Sequence, residues 1–237
     1  MAKRKLDQYK GKLTPAEIAD GMNEAAANAK RLHDDAKLLL DNGRYPSALS
    51  LAALSIEESG KLSILRSLAL ARDQKELIQT WREYRSHTRK NTMWPFLQMF
   101  LQGARRLGDF RPLVENGAEH PFLLDNDKQL GFYTDCLGKR HWSIPTEIID
   151  EQLAREILRI AELLLPKRKV TEREIELWIE HLQPVWKQSM EFMESAVSAW
   201  HKQMSAEGLS SGDPDGMEKF IVNGIGPDVE NVEPSNQ

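Results

Sequence analysis

The segment from Tyr45 to Arg72 constrains the fold more than any other, because the helix it predicts is apolar on every face. A helix without a polar side has to be enclosed by other elements. It nevertheless carries Glu57-Glu58-Ser59-Gly60-Lys61 at its centre. Buried carboxylates must be paired or hydrogen-bonded, since an isolated one is too costly. Glu57 and Lys61 have the i, i+4 order that favours an ion pair. Glu58 lies on the stripe Leu51, Ser55, Leu62, Leu65 with no local partner, so a group elsewhere in the chain has to answer it.

Helical signals surround this segment. Thr14-Pro15-Ala16-Glu17 is a capping box with Pro at the first helical position. Ile18, Met22, Ala25, Ala29, Leu32, Ala36 and Leu39 follow at alternating steps of four and three, a core-facing seam. Asn42-Gly43 is a left-handed stop, and the short connection to Tyr45-Pro46 predicts two antiparallel helices. Asp73-Gln74-Lys75-Glu76 opens a third helix expected to run to about Lys90, and a fourth is expected from Met93 to Leu107. Residues 108–127 are rich in Gly, Pro, Asn and Asp and read as a long loop. Residues 130–134 and 141–144 flank a Gly-Lys turn and suggest a hairpin. Helix returns from about Asp150 to Leu165. A long last helix is expected from Thr171-Glu172-Arg173-Glu174, kinked at Pro184, with Trp178, Trp186 and Trp200 as core or interface residues. The end of the chain, rich in Gly, Ser, Pro and acid, reads as a loose tail.

The 237 residues have ample material for a core. The single Cys136 excludes an internal disulfide framework and fits a reducing compartment. No apolar run approaches the ~20 residues of a membrane span, and no apolar segment follows the basic N-terminus to make a leader. The expectation is a soluble, cytoplasmic protein without a membrane role. The net charge of -4 conceals an asymmetry: from Ser205 onward there are one Lys and seven acidic residues, which leaves the body at about +2. Overall acidity therefore does not exclude an anionic ligand.

Several motifs fail. Ser59-Gly60-Lys61 lacks the strand-loop-helix context of a phosphate loop, and no His pair has a zinc-ligand spacing, so neither metal nor cofactor is expected. The pair Arg82 and His87 survives, beside Arg85, Arg89 and Lys90. Arginine forks phosphate and keeps its charge, while histidine gives or takes a proton near neutral pH. Those are the roles that metal-free RNA cleavage requires: a base for the 2'-hydroxyl or acid for the leaving oxygen, and a cation for the phosphorane. On a regular helix, residues five apart diverge by roughly 140°. Arg82 and His87 therefore converge only across a helix end, through a distortion, or with a second subunit. The alternative is a solvated basic helix end with favourable dipole contacts.

The run from Leu13 to Leu65, with Gly43-Arg44-Tyr45-Pro46-Ser47-Ala48 and Ala53-Leu54-Ser55-Ile56-Glu57-Glu58-Ser59-Gly60-Lys61, resembles the AbiV-type abortive-infection proteins of the HEPN superfamily. Ser86-His87-Thr88-Arg89-Lys90, Gly131-Phe132-Tyr133-Thr134-Asp135 and Trp142-Ser143-Ile144-Pro145 look like that family's later blocks. The resemblance implies an all-α, HEPN-like antiparallel helical bundle. It would occupy residues 13–205, with a small loop or hairpin insertion at about 108–147, followed by an acidic tail over 206–237. It implies phage defence by a block of translation, through metal-independent endoribonuclease action on RNA in a homodimer, and it allows for a phage-encoded activator. Arg82 and His87 match the catalytic motif. Arg85, Arg89 and Lys90 would hold RNA phosphate, and Glu57, Glu58 and Lys61 would support the site, with Glu58 restraining Arg82 or Arg85. Glu83 stands where active members often have Asn, Asp or His. A non-catalytic interaction protein that binds a phage or translation component is the second expectation.

Overall fold

A computed structural model describes residues 7–114 and 118–224. The chain forms α1 (Pro15–Asp41), α2 (Tyr45–Ala69), α3 (Gln74–Arg85), α4 (His87–Lys90) and α5 (Phe96–Leu101), followed by a 3-10 helix over Leu107–Val114. Next come α6 (His120–Phe132), the strands β1 (Asp135–Leu137) and β2 (His141–Ser143), α7 (Pro145–Ile148) and α8 (Glu151–Leu164). Then follow α9 (Glu172–Leu182), a 3-10 turn over Gln183–Val185, α10 (Met190–Ala206) and α11 (Gly216–Val222).

The expected capping box starts α1: Thr14 N–H donates to Glu17 (2.8 Å) and Glu17 N–H to the Thr14 hydroxyl (3.2 Å). Such a cap contributes about 1 kcal/mol. Gly43, at φ +69, turns the chain back after α1, a backbone conformation in which a Cβ would be strained. The antiparallel α1–α2 pair buries small residues on both helices, Ala25, Ala29 and Ala36 on α1 and Ala48, Ala52 and Ala53 on α2, and Ala36 packs in one cluster with the α2 alanines. Ser55, on α2, donates to the Ala29 carbonyl at 2.8 Å.

Helix α2 is the centre, as its apolar surface requires. Its first half meets α1, α6 and α8 through Leu49, Ile56, Leu124, Ile157 and Leu158. Its second half meets α1, α3 and α9 through Met22, Leu65, Leu68, Trp81 and Ile175. A third cluster joins Leu70 to Leu177, Leu182, Trp200 and Met204. Full burial of each large aliphatic side chain contributes about 2 kcal/mol. Trp178 and Trp200 meet edge to face at 5.1 Å, and the Arg66 guanidinium lies over both rings. These tryptophans are core, as their spacing suggests. Among the described residues, no helix is long and apolar enough to cross a membrane.

Several expected elements differ. The third helix ends at Arg85 instead of Lys90, because Ser86 is extended (φ -85, ψ 129) and α4 restarts at His87. The fourth shrinks to Phe96–Leu101, with Pro95 immediately before it. The expected loop over 108–127 contains a 3-10 helix and the start of α6, and the strand expected at 130–134 is instead the end of α6, so the hairpin forms later with Cys136 opposite Trp142. The last helix is broken at Gln183–Val185, where Pro184 cannot supply a backbone donor. Part of the expected tail is ordered: α11 brings Phe220 to within 6.2 Å of Phe110 and is tied by Lys202–Glu218 at 2.6 Å. Residues 225–237 lie outside the described residues, as does the basic N-terminus.

Candidate functional site

Three elements converge on one carboxylate. Glu57, midway along α2, is 2 % exposed. Its Oε2 lies 2.7 Å from Nδ1 of His87 and 3.2 Å from Nζ of Lys90, both on α4. Its Oε1 lies 2.5 Å from Nζ of Lys128 on α6. Lys128 also reaches Asp125 at 2.6 Å, one helical turn earlier. Glu57, Lys90 and Lys128 are buried, whereas the His87 side chain is 59 % exposed.

Close backbone contacts fix this arrangement. Gly60 faces α4 so tightly that a Cβ there would stand 2.0 Å from the Lys90 carbonyl oxygen. A mid-helix glycine costs about 1 kcal/mol relative to alanine; its place here is explained by that approach. Gly131 does the same for α6, where a Cβ would meet the Ser50 hydroxyl at 2.3 Å and the Pro46 carbonyl at 2.8 Å. Ser50 Oγ lies 3.1 Å from the Lys128 carbonyl, which seats α6 against α2. The segment after α4 is clipped to the start of α6 by Trp94 Nε1 donating to the His120 carbonyl (2.8 Å) and by His120 Nε2 near the Thr92 carbonyl (3.0 Å).

The 2.7 Å contact assigns the His87 tautomer by chemistry: a carboxylate only accepts, so Nδ1 carries the proton. In the neutral form of such a ring, Nε2 is the nitrogen left without a proton. Burial pushes the Lys128 ammonium down, but its hydrogen bonds to Asp125 and Glu57 and their charges outweigh this, holding it above the ordinary lysine range. Glu57, His87 and Asp125 offer donor atoms within 4.8 Å of one another. The cation bonded to both carboxylates there is the Lys128 ammonium.

The supporting and phosphate-binding residues named from sequence fall into different places. Glu57 does not pair with Lys61; it faces α4 and α6, and Lys61 instead joins Glu58 at 2.6 Å. The i, i+4 rule concerns isolated helices, and here tertiary cations claim Glu57. Glu58 therefore restrains neither Arg82 nor Arg85. Lys61 lies 5.2 Å over the Tyr84 ring. Arg85 stacks on Trp81 at 4.9 Å and donates to the Trp81 and Tyr9 carbonyls, so it is engaged within the chain. Lys90 is committed to Glu57 rather than to solvent. Arg82 and Arg89 are exposed, and among the described residues neither forms an ion pair. Asp125 and Lys128 escaped the sequence reading. Their signal is an i, i+3 acid–lysine pair that straddles the end of the loop-like segment 108–127.

The chain matches the HEPN family AbiV over residues 17–166. That match spans α1 through α8 and includes Glu57, His87 and Lys128. Comparison with curated proteins and with solved structures gives no match. A family match over well more than half the length, on a helical bundle built around the second-helix Glu-Glu-x-Gly-Lys block, places this chain in the AbiV-type HEPN family of abortive-infection proteins.

Proposed function

We propose that this protein is a phage-defence effector that blocks translation by cleaving RNA, with His87 as the proton-transfer group. The observation that carries the reading is the exposed imidazole whose Nδ1 is held by the buried Glu57 carboxylate. Such a restraint fixes ring orientation and leaves Nε2 to act on substrate. In the proposed reaction Nε2 takes the proton of a 2'-hydroxyl and that oxygen attacks the adjacent phosphorus. The 5'-oxygen leaves with a proton handed on from the His87 imidazolium, giving a 2',3'-cyclic phosphate and a 5'-hydroxyl end and returning the ring to its neutral form. Arg82 neutralises the phosphorane, and the exposed Arg89 attracts the backbone, so binding weakens as salt rises. Arg82 lies outside the Glu57 cluster. The reading therefore includes a homodimer in which two Arg82/His87 motifs line one cleft.

Incubation with transfer and ribosomal RNA in EDTA tests this. We expect cleavage to cyclic-phosphate ends, and a fall of at least about 100-fold in His87→Ala, the scale of a lost general base. Intact RNA together with undiminished defence in His87→Ala would overturn it. A second reading, an interaction protein that binds a phage or translation component, is favoured by the exposed Phe122, Leu123, Tyr133 and Trp142 on α6 and the hairpin. It predicts that Trp142→Ala abolishes defence while His87→Ala does not.

A further inference from the structure

We propose that Lys128 is a positioning residue that keeps His87 available as a base, by neutralising Glu57 and Asp125 so that neither holds the imidazole in its protonated form. The proposal rests on His87 being the proton-transfer group. A histidine bonded to a lone buried carboxylate is drawn toward the imidazolium, because the opposite charge favours the protonated ring. A ring held in that form has no lone pair with which to take a proton.

Around His87 the carboxylates do not stand alone. From α2 it faces Glu57; from α6, Asp125 and Lys128; on its own helix, Lys90. Two carboxylates and two ammonium groups cancel before the imidazole is counted. Arg89 on α4 and Arg82 on α3 are exposed, Arg85 is held on Trp81, and Glu58 is paired with Lys61. The Nζ of Lys128 lies 3.5 Å from Nδ1 of the ring. At that separation, with the ammonium itself buried, two positive charges repel. Glu57 thus orients the ring while Lys128 opposes its protonation.

Removing either member of the α6 pair should therefore move the His87 titration in opposite directions. The experiment follows the His87 ring by NMR across pH in the full chain, its resonance assigned through His87→Gln. In Lys128→Met the titration should shift to higher pH; in Asp125→Asn, to lower pH; and Lys128→Arg should restore the parent curve. A structural role alone gives no such opposed shifts, and Asp125→Asn remains informative if Lys128→Met fails to fold. A curve that coincides with the parent's in either variant, or curves that move the same way in both, would refute this arrangement of charges and with it the role of Lys128. The pH dependence of RNA cleavage should track the NMR curves. If the NMR shifts are opposed but no RNA is cut at any pH, the nuclease reading fails while the electrostatic role of Lys128 stands.

Discussion

At the scale of single residues, Glu57 and Glu58 are neighbours with different physics. Glu57 is enclosed with Lys90 and Lys128, so Glu57→Gln leaves two buried ammonium groups short of their counter-charge. Breaking a buried ion network in this way costs about 3 kcal/mol or more. Glu58 and Lys61 are partly exposed, and pairs of that kind contribute about 1 kcal/mol or less. Urea denaturation should show a large loss of stability for Glu57→Gln and a small one for Glu58→Gln; the reverse order would contradict the geometry. Sequence indicated that a charge in this apolar helix needed a distant partner, and that was correct in kind. It attached the need to Glu58, because an adjacent position on a helix differs by roughly 100° and only the packing decides which side faces cations. His87 and Lys90 were visible in the basic cluster. Their convergence on Glu57 depends on the bend at Ser86, which no helical periodicity carries.

At the scale of elements, the site depends on how closely α4 and α6 approach α2. Gly60 is the sharpest test. Glycine-to-alanine in a helix usually stabilises by about 1 kcal/mol. Here the added methyl meets a backbone carbonyl that cannot rotate aside. Gly60→Ala should instead destabilise by about 2 kcal/mol, as overpacking does, and RNA cleavage should fall because α4 carries His87. A more stable, fully active Gly60→Ala protein would show that the α2–α4 approach is not needed. The elements legible in sequence were those with local punctuation: the capping boxes at Thr14 and Thr171 and the stop at Gly43. Helix α6 was hidden because its Pro, Asn and Asp residues resemble a loop, and its stability comes from Leu124 and Lys128 packed on α2 rather than from propensity.

At the scale of the whole molecule, exposed ion pairs join elements that the apolar clusters bring together. The Arg72 side chain and backbone N–H, helped by Lys187, hold the Glu76 carboxyl down at about 2. Arg173, with Gln203, does the same for Glu207, also at about 2. These ties link the start of α3 to the turn before α10, and α9 to the end of α10. Both carboxyls sit below the ordinary 4.5. Their contribution is therefore complete above about pH 4.5 and is lost as pH falls toward 2. Melting temperatures should drop through that window, and more shallowly in the Glu76→Gln/Glu207→Gln variant. An identical slope would show that these ties carry no stability. The fold class was readable because helical periodicity and caps recur along the chain; the site was only half readable, since it is made by packing. The contribution of α6 also has a consequence in time. A chain leaves the ribosome N-terminus first, so α1 and α2 can pair while Lys128, at position 128 of 237, has yet to be synthesised. Glu57 then has no cation from α6. On the proposed role of Lys128, a chain that has not yet grown past α6 has no poised imidazole and is born inert.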